Sequence, residues 1–182
     1  KELVYEGGDK KTVHGFTAWK PDAKTVAANP AEFENNLKAY TEDLYKAARE
    51  KLIAGPINLV AAMYVPEKGV WFSTIPRGDA ANLILGDLDS APALKSRVKD
   101  GRKIDKNIHA EDGIIYWFEK SQNHHMSPDE AINWKFPEGT RLAVYGKTSD
   151  FRPLGFIGPC DTTEKQRGLE SFKRVPTCAE VI

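Results

Sequence analysis

The sequence has few cysteines, no long apolar run and no net charge, and each of these absences excludes a class of protein. Two cysteines in 182 residues are too few for a small scaffold that depends on several disulfides. No apolar run is long enough to cross a bilayer, so we expect no membrane partner. Twenty-six basic residues balance twenty-six acidic ones, so we expect no nucleic-acid partner without a local basic patch. The length and the 41% hydrophobic content instead predict one globular domain over residues 1–182.

The cysteines and the first residue bear on the compartment. A disulfide between Cys160 and Cys178 is expected, and it would stabilise the fold by roughly 3 kcal/mol and hold residues 166–182 as a C-terminal tail. The alternative is two reduced thiols, of which one or both bind a metal. Because the chain begins at Lys1 rather than Met, we also expect that a preceding segment has been removed. Secretion to the extracellular space is the explanation that we favour.

Apolar periodicity and the positions of Gly and Pro predict the secondary structure. Residues 29–53 have the N-cap, the Pro and the apolar spacing of a long amphipathic helix. Two apolar runs, 57–65 and 70–75, predict a hairpin that is covered on both faces. We expect His14 to be a surface or turn histidine. The other predicted elements are an N-terminal arm or short strands within 1–29, short helices over 79–85 and 91–98, a helix over 109–124, a capped helix over 127–132 and a strand over 141–147.

One motif opens the predicted helix over 109–124. His109 and Glu111 are two residues apart and precede an apolar segment. An imidazole can ligate zinc, and a carboxylate two residues later can reach a metal-bound water without ligating the metal. Further along, Cys160 follows Gly158 and Pro159 and supplies a thiol. A structural alternative is that the two side chains cap the helix, since Glu complements the helix dipole and His can satisfy a backbone carbonyl.

This order of elements, with His-Ala-Glu followed by Pro-Cys, resembles the cytidine deaminase-like superfamily, particularly its divergent members among secreted bacterial and fungal toxins and effectors. The resemblance covers residues 30–165. It implies an α/β fold in which helices flank a mixed sheet in a three-layer sandwich. It also implies that His109 and Cys160 are zinc ligands and that Glu111 shuttles protons. The sequence departs from the Pro-Cys-x-x-Cys pattern because Thr163 stands where the second cysteine belongs.

The missing ligand favours binding over catalysis. We expect a secreted protein with a deaminase-like fold and no cofactor, an effector or inhibitor that binds a protein of another organism. Its binding surface is predicted on the loops at 66–69 and 147–156. The second loop carries Phe151, Arg152 and Phe156, residue types that often anchor interfaces. The alternative function is a zinc-dependent deaminase of a nucleobase or nucleotide. Zinc and a disulfide at the same cysteine exclude each other.

Overall fold

The predicted helices and strands occur in the predicted order, together with a short helix, Ala23–Ala28, and a short strand, Gly155–Ile157, that were not predicted. The computed structural model describes residues 3–8, 11–52, 59–99, 108–122, 127–147 and 154–157. The strands are β1 (Leu3–Gly8), β2 (Val13–Thr17), β3 (Leu59–Val65), β4 (Gly69–Thr74), β5 (Arg141–Gly146) and β6 (Gly155–Ile157). The α-helices are α1 (Ala23–Ala28), α2 (Pro30–Lys51), α3 (Asp79–Gly86), α4 (Pro92–Lys99), α5 (Ala110–Gln122) and α6 (Pro128–Asn133).

The long helix α2 begins where the sequence predicts. The Asn29 side chain accepts a hydrogen bond from the backbone N–H of Glu32 (3.3 Å), and Pro30 occupies the first turn. Its apolar side chains recur at three- and four-residue spacing, and the buried ones are Phe33, Leu37, Tyr40, Leu44, Tyr45 and Ala48. The predicted amphipathic helix is therefore confirmed.

The predicted hairpin, β3 and β4, lies at the centre of the sheet. It pairs Val60 with Thr74 at one end and Val65 with Gly69 at the other. The turn between the strands uses left-handed backbone at Glu67 (φ 64°) and Gly69 (φ 118°). The complete strand order is β1-β2-β4-β3-β5-β6. The N-terminal strands thus extend the sheet beside β4. Of the two expectations for the N-terminal residues, an arm or short strands, the structure has the strands.

The expected mixed sheet is wrong for the described strands, because every described pair of neighbours is antiparallel. β3 runs opposite to both β4 and β5, so the last two point in the same direction. They are not neighbours, because β3 lies between them. The crossover through α5 therefore joins parallel strands without creating a parallel ladder.

Both faces of the sheet are covered, as the hairpin predicted. All seven residues of β3 are buried. Its side chains alternate between two cores. Leu59, Ala61, Met63 and Val65 pack with apolar residues of α3, α4 and α5. Val60, Ala62 and Tyr64 pack with apolar residues of α1 and α2. The chain is therefore an α/β protein with helices on both faces of one antiparallel sheet.

Two local expectations are corrected. His14 is not a surface or turn residue: it lies within β2, is 6% exposed, and its ring centroid is 4.1 Å from that of Trp117. It is buried because β2 pairs on both sides and α5 covers its face. The predicted loop at 147–156 ends in a strand, because Phe156 pairs with Tyr145 at the edge of the sheet.

Candidate functional site

The start of α5 carries the His-x-Glu motif, and the helix is capped there by a residue outside the motif. The backbone N–H of His109 donates to Oδ2 of Asp112 (2.7 Å), and the carbonyl of His109 accepts from the N–H of Gly113 (3.2 Å). His109 is thus the N-cap residue, and Asp112 reaches back to it as the acidic member of a capping box does. Asp112, which the sequence reading did not name, is therefore a capping carboxylate of this helix.

Both carboxylates of this first turn are buried. Glu111 is 5% exposed and Asp112 is fully buried, while His109 is half-buried. Burying a carboxylate is costly unless it is compensated, and the backbone N–H groups of a helix N-terminus provide part of that compensation.

Gly113 brings the start of α5 close to the carboxyl end of β4. A Cβ atom at this position would lie 2.5 Å from Oγ of Ser73 and 3.1 Å from Cγ of Pro76. Glycine is therefore the residue that allows this approach. The contact sets the first turn of α5, with the motif, against the point where β4 ends.

The structure describes His109 and Glu111 at the start of α5 but bears on few of the other predicted site residues. Cys160 and Cys178, with the predicted disulfide and the second zinc ligand, lie outside the described residues, as do Phe151 and Arg152. Within the described ranges, no group of three or more His, Cys, Asp or Glu side chains could hold a metal ion. His109 is the predicted zinc ligand that the structure describes.

Phe156 lies on the edge strand β6 and is 49% exposed. Its ring centroid is 4.9 Å from that of Tyr145, and Nζ of Lys38 on α2 lies 5.8 Å from the Phe156 centroid. Leu154, just before the strand, is 51% exposed. We call Leu154, Phe156 and Lys38 the β6 surface. The other predicted loop, 66–69, exposes the charged side chains of its turn instead of an aromatic ring.

Glu119 is a buried carboxylate that sequence reasoning missed. It is fully buried and accepts hydrogen bonds from the backbone N–H groups of Ala93 (2.8 Å) and Leu94 (3.1 Å). Glu119 of α5 thereby caps the first turn of α4. Burial raises its pKa to about 7, while the two backbone hydrogen bonds act in the opposite direction. The signal in the sequence was a Glu four residues after Ile115, on the apolar face of the helix.

A second carboxylate, Asp87, ties α5 to the turn after α3. Its Oδ2 accepts from the Tyr116 hydroxyl (2.6 Å) and lies 3.1 Å from Nζ of Lys120, while Oδ1 accepts from the Ser90 hydroxyl (2.8 Å). These hydrogen bonds, that of Tyr116 first, lower the pKa of Asp87 to about 2. The carboxylate therefore remains ionised over the neutral and mildly acidic range.

The molecule is thus an α/β protein in which a central helix, opening on a half-buried His and a buried Glu, lies against one face of an antiparallel sheet. Comparisons of this chain with protein-family models, with curated proteins and with solved structures give no match. None of the described helices combines the length and the apolarity required to cross a membrane.

Proposed function

We propose that this chain is a secreted protein with a deaminase-like scaffold that acts by binding another protein, as an effector or inhibitor directed at another organism. The order of helix, hairpin, His-Ala-Glu helix and strand, realised in α2, β3, β4, α5 and β5, supports the scaffold. The observation that carries the binding function is the β6 surface.

The β6 surface combines two features of protein-binding sites. Three large apolar side chains of the described residues are about half exposed. Two of them, Leu154 (51%) and Phe156 (49%), flank one glycine. They lie on or beside a short strand at the edge of the sheet that the described strands form, and an edge strand is a position where a segment of another protein can pair. The Phe156 ring packs edge-on against that of Tyr145, and this contact holds the proposed anchor in place before a partner binds.

The test is to compare Phe156→Ala with Leu83→Ala in capture experiments that use the full chain. Leu83 on α3 is 52% exposed and serves as the matched control, because it is an equally exposed apolar residue outside the β6 surface. We expect a defined protein to be captured by the native chain and by Leu83→Ala, and its affinity to fall at least about tenfold in Phe156→Ala. Equal affinity in the two variants would remove the β6 surface from the proposal.

A zinc-dependent deaminase is the second candidate function, and the buried Glu111 in the first turn of α5, directly after His109 and Ala110, supports it. In this function His109 and Cys160 would hold zinc, which would activate water for attack on a nucleobase amidine. Buried Glu111 would move the proton from the water to the departing ammonia.

Metal and thiol analysis of the full chain separates the two functions. No free thiols and no zinc would mean that Cys160 is bridged to Cys178, which excludes the deaminase. One zinc per chain and ammonia release from cytosine or adenine substrates would establish it. In that case Glu111→Gln should lose turnover by at least about a hundredfold with an unchanged fold, whereas Glu67→Gln in the exposed turn should retain it.

A further inference from the structure

An aromatic pocket lies between the second half of α5 and strands β2 and β4, away from the His-x-Glu motif. Its volume is about 270 Å³. The lining residues are Gly15, Phe16, Trp71, Trp117, Lys120 and Ser121. Trp117 follows His109 by about 12 Å along the helix, at 1.5 Å per residue. The pocket is therefore separate from the start of α5, and its position on β2 also separates it from the opposite edge of the sheet, where β6 lies.

The aromatic walls of the pocket are held in place by neighbouring rings. Phe16 and Trp71 are stacked, with centroids 5.9 Å apart and an interplanar angle of 28°. Trp117 packs against the ring of His14 at 4.1 Å and edge-on against Tyr116 at 4.9 Å. Because these contacts fix the ring positions, a planar ligand would meet walls that need little reorganisation.

Among the described residues that line the pocket, Lys120 is the charged one, and it lies at the rim. Its Nζ lies 3.1 Å from Oδ2 of Asp87, and the side chain is 40% exposed. An ammonium group has three N–H donors, so the contact with Asp87 orients it and leaves donors for a ligand. The adjacent Ser121 is exposed and adds a hydroxyl to the same rim. The negatively charged group of a ligand would accept from the remaining N–H donors of Lys120, while its ring system occupied the aromatic part of the pocket.

The volume limits the ring system to a small one. A cavity of about 150 Å³ holds benzene, so a pocket of about 270 Å³ has room for two fused rings. We propose that this pocket binds a small planar aromatic anion, a bicyclic ring system with a carboxylate or similar group that contacts Lys120. The ligand is a free small molecule, and this site is independent of the proposed protein-binding and deaminase functions.

The test is calorimetric titration of the full chain with 2-naphthoate, and with 2-naphthamide as the uncharged analogue. We expect one saturable site for naphthoate and weaker binding of naphthamide. Lys120→Gln should weaken naphthoate binding about fivefold or more and leave naphthamide binding unchanged. Lys46→Gln is the matched control, because Lys46 on α2 also pairs with a carboxylate, Glu42, at 3.7 Å, but lies on the other face of the sheet. It should bind both compounds as the native chain does.

A variant that blocks the pocket from its rim tests the proposal without changing a residue of the hydrophobic core. Ser121→Trp adds a large ring at an exposed helical position at the rim. It should lower the affinity for both compounds at least about tenfold, while circular dichroism shows an unchanged fold. The proposal is overturned if naphthoate gives no saturable binding or if Ser121→Trp retains native affinity. Equal affinity for naphthoate and naphthamide would overturn the anionic class of the ligand.

Discussion

Gly113 is a single residue on which the position of α5 depends. A Cβ atom there would lie 2.5 Å from Oγ of Ser73, closer than such atoms can approach. We predict that Gly113→Ala lowers the free energy of unfolding by about 1–3 kcal/mol through overpacking. Part of this loss is offset by the higher helix propensity of Ala, about 1 kcal/mol. Urea denaturation of the variant and the native chain measures the difference.

Gly86 provides the control for this prediction. It also lies in a helix, at the end of α3, but a Cβ atom there would meet nothing within 4 Å. Gly86→Ala should therefore cause no loss of stability. Adding Ser73→Gly to Gly113→Ala removes the clashing side chain and should restore part of the loss. If Gly113→Ala is as stable as the native chain, the close approach of α5 to β4 is not what the glycine provides.

At the scale of the elements, Glu119 links α5 to α4. Its carboxylate accepts hydrogen bonds from the backbone N–H groups of Ala93 and Leu94, so one helix supplies the cap of the other. Burial raises the pKa of Glu119 from 4.5 to about 7. Between these two values the folded state retains a proton that the unfolded state releases. Stability therefore falls as the pH rises through this range.

We predict that the Glu119 contribution is fully present below pH 4.5 and lost as the pH rises through about 7. A shift of this size corresponds to a loss of about 3 kcal/mol. Urea denaturation at pH 5 and pH 8 measures it against Glu119→Gln, which does not titrate. Relative to the native chain, the variant should gain stability from pH 5 to pH 8.

Glu67→Gln is the control, since Glu67 is an exposed carboxylate in the β3–β4 turn. It should follow the native pH profile. Asp87 does not interfere, because its pKa is lowered to about 2 and its contribution changes only in more acidic solution. A constant difference between Glu119→Gln and the native chain from pH 5 to pH 8 would contradict the prediction.

At the scale of the whole molecule, two hydrophobic cores share one sheet. Leu37 belongs to the core on the α2 side and Leu94 to the core on the α5 side, and both are almost fully buried. Because β3 contributes alternate side chains to both cores, we predict that they unfold as one unit. Leu37→Ala and Leu94→Ala should each lower the free energy of unfolding by about 2–5 kcal/mol.

Two spectroscopic probes show whether the two cores unfold together or separately. Trp71, Trp117 and Trp134 pack on the α5 side, so tryptophan fluorescence reports mainly on that core, while far-ultraviolet circular dichroism reports on all helices. In Leu37→Ala both transitions should move together to lower urea concentration. Leu83→Ala, at an exposed site, should change stability by less than about 0.5 kcal/mol. A fluorescence transition that stays at its native midpoint in Leu37→Ala would show that the two layers unfold separately.

Most elements could be predicted from the sequence because their signals are local. Asn29 and Pro30 mark the start of α2, and Ser127 marks the start of α6, where its side chain accepts from the N–H of Glu130. The motif was also placed correctly, since His109 opens α5. The capping contact of the neighbouring Asp112 was not predicted, because it depends on which side chain turns back toward the helix start.

The remaining features arise between residues that are distant in the sequence. His14 is buried because Trp117 of α5 covers β2, and no pattern near His14 indicates this contact. Phe156 belongs to a strand because β5 lies beside it. The antiparallel sheet likewise follows from the insertion of β3 between β4 and β5.

Thus the periodicity and the caps of the chain specify its elements, their order and the position of His109 and Glu111, because these depend on neighbours within a few residues. Only the packed molecule decides which strands pair, that Glu119 caps α4, and that Phe16, Trp71 and Trp117 line one pocket. These features depend on contacts that exist after helices and strands have come together, and the sequence does not display such contacts locally.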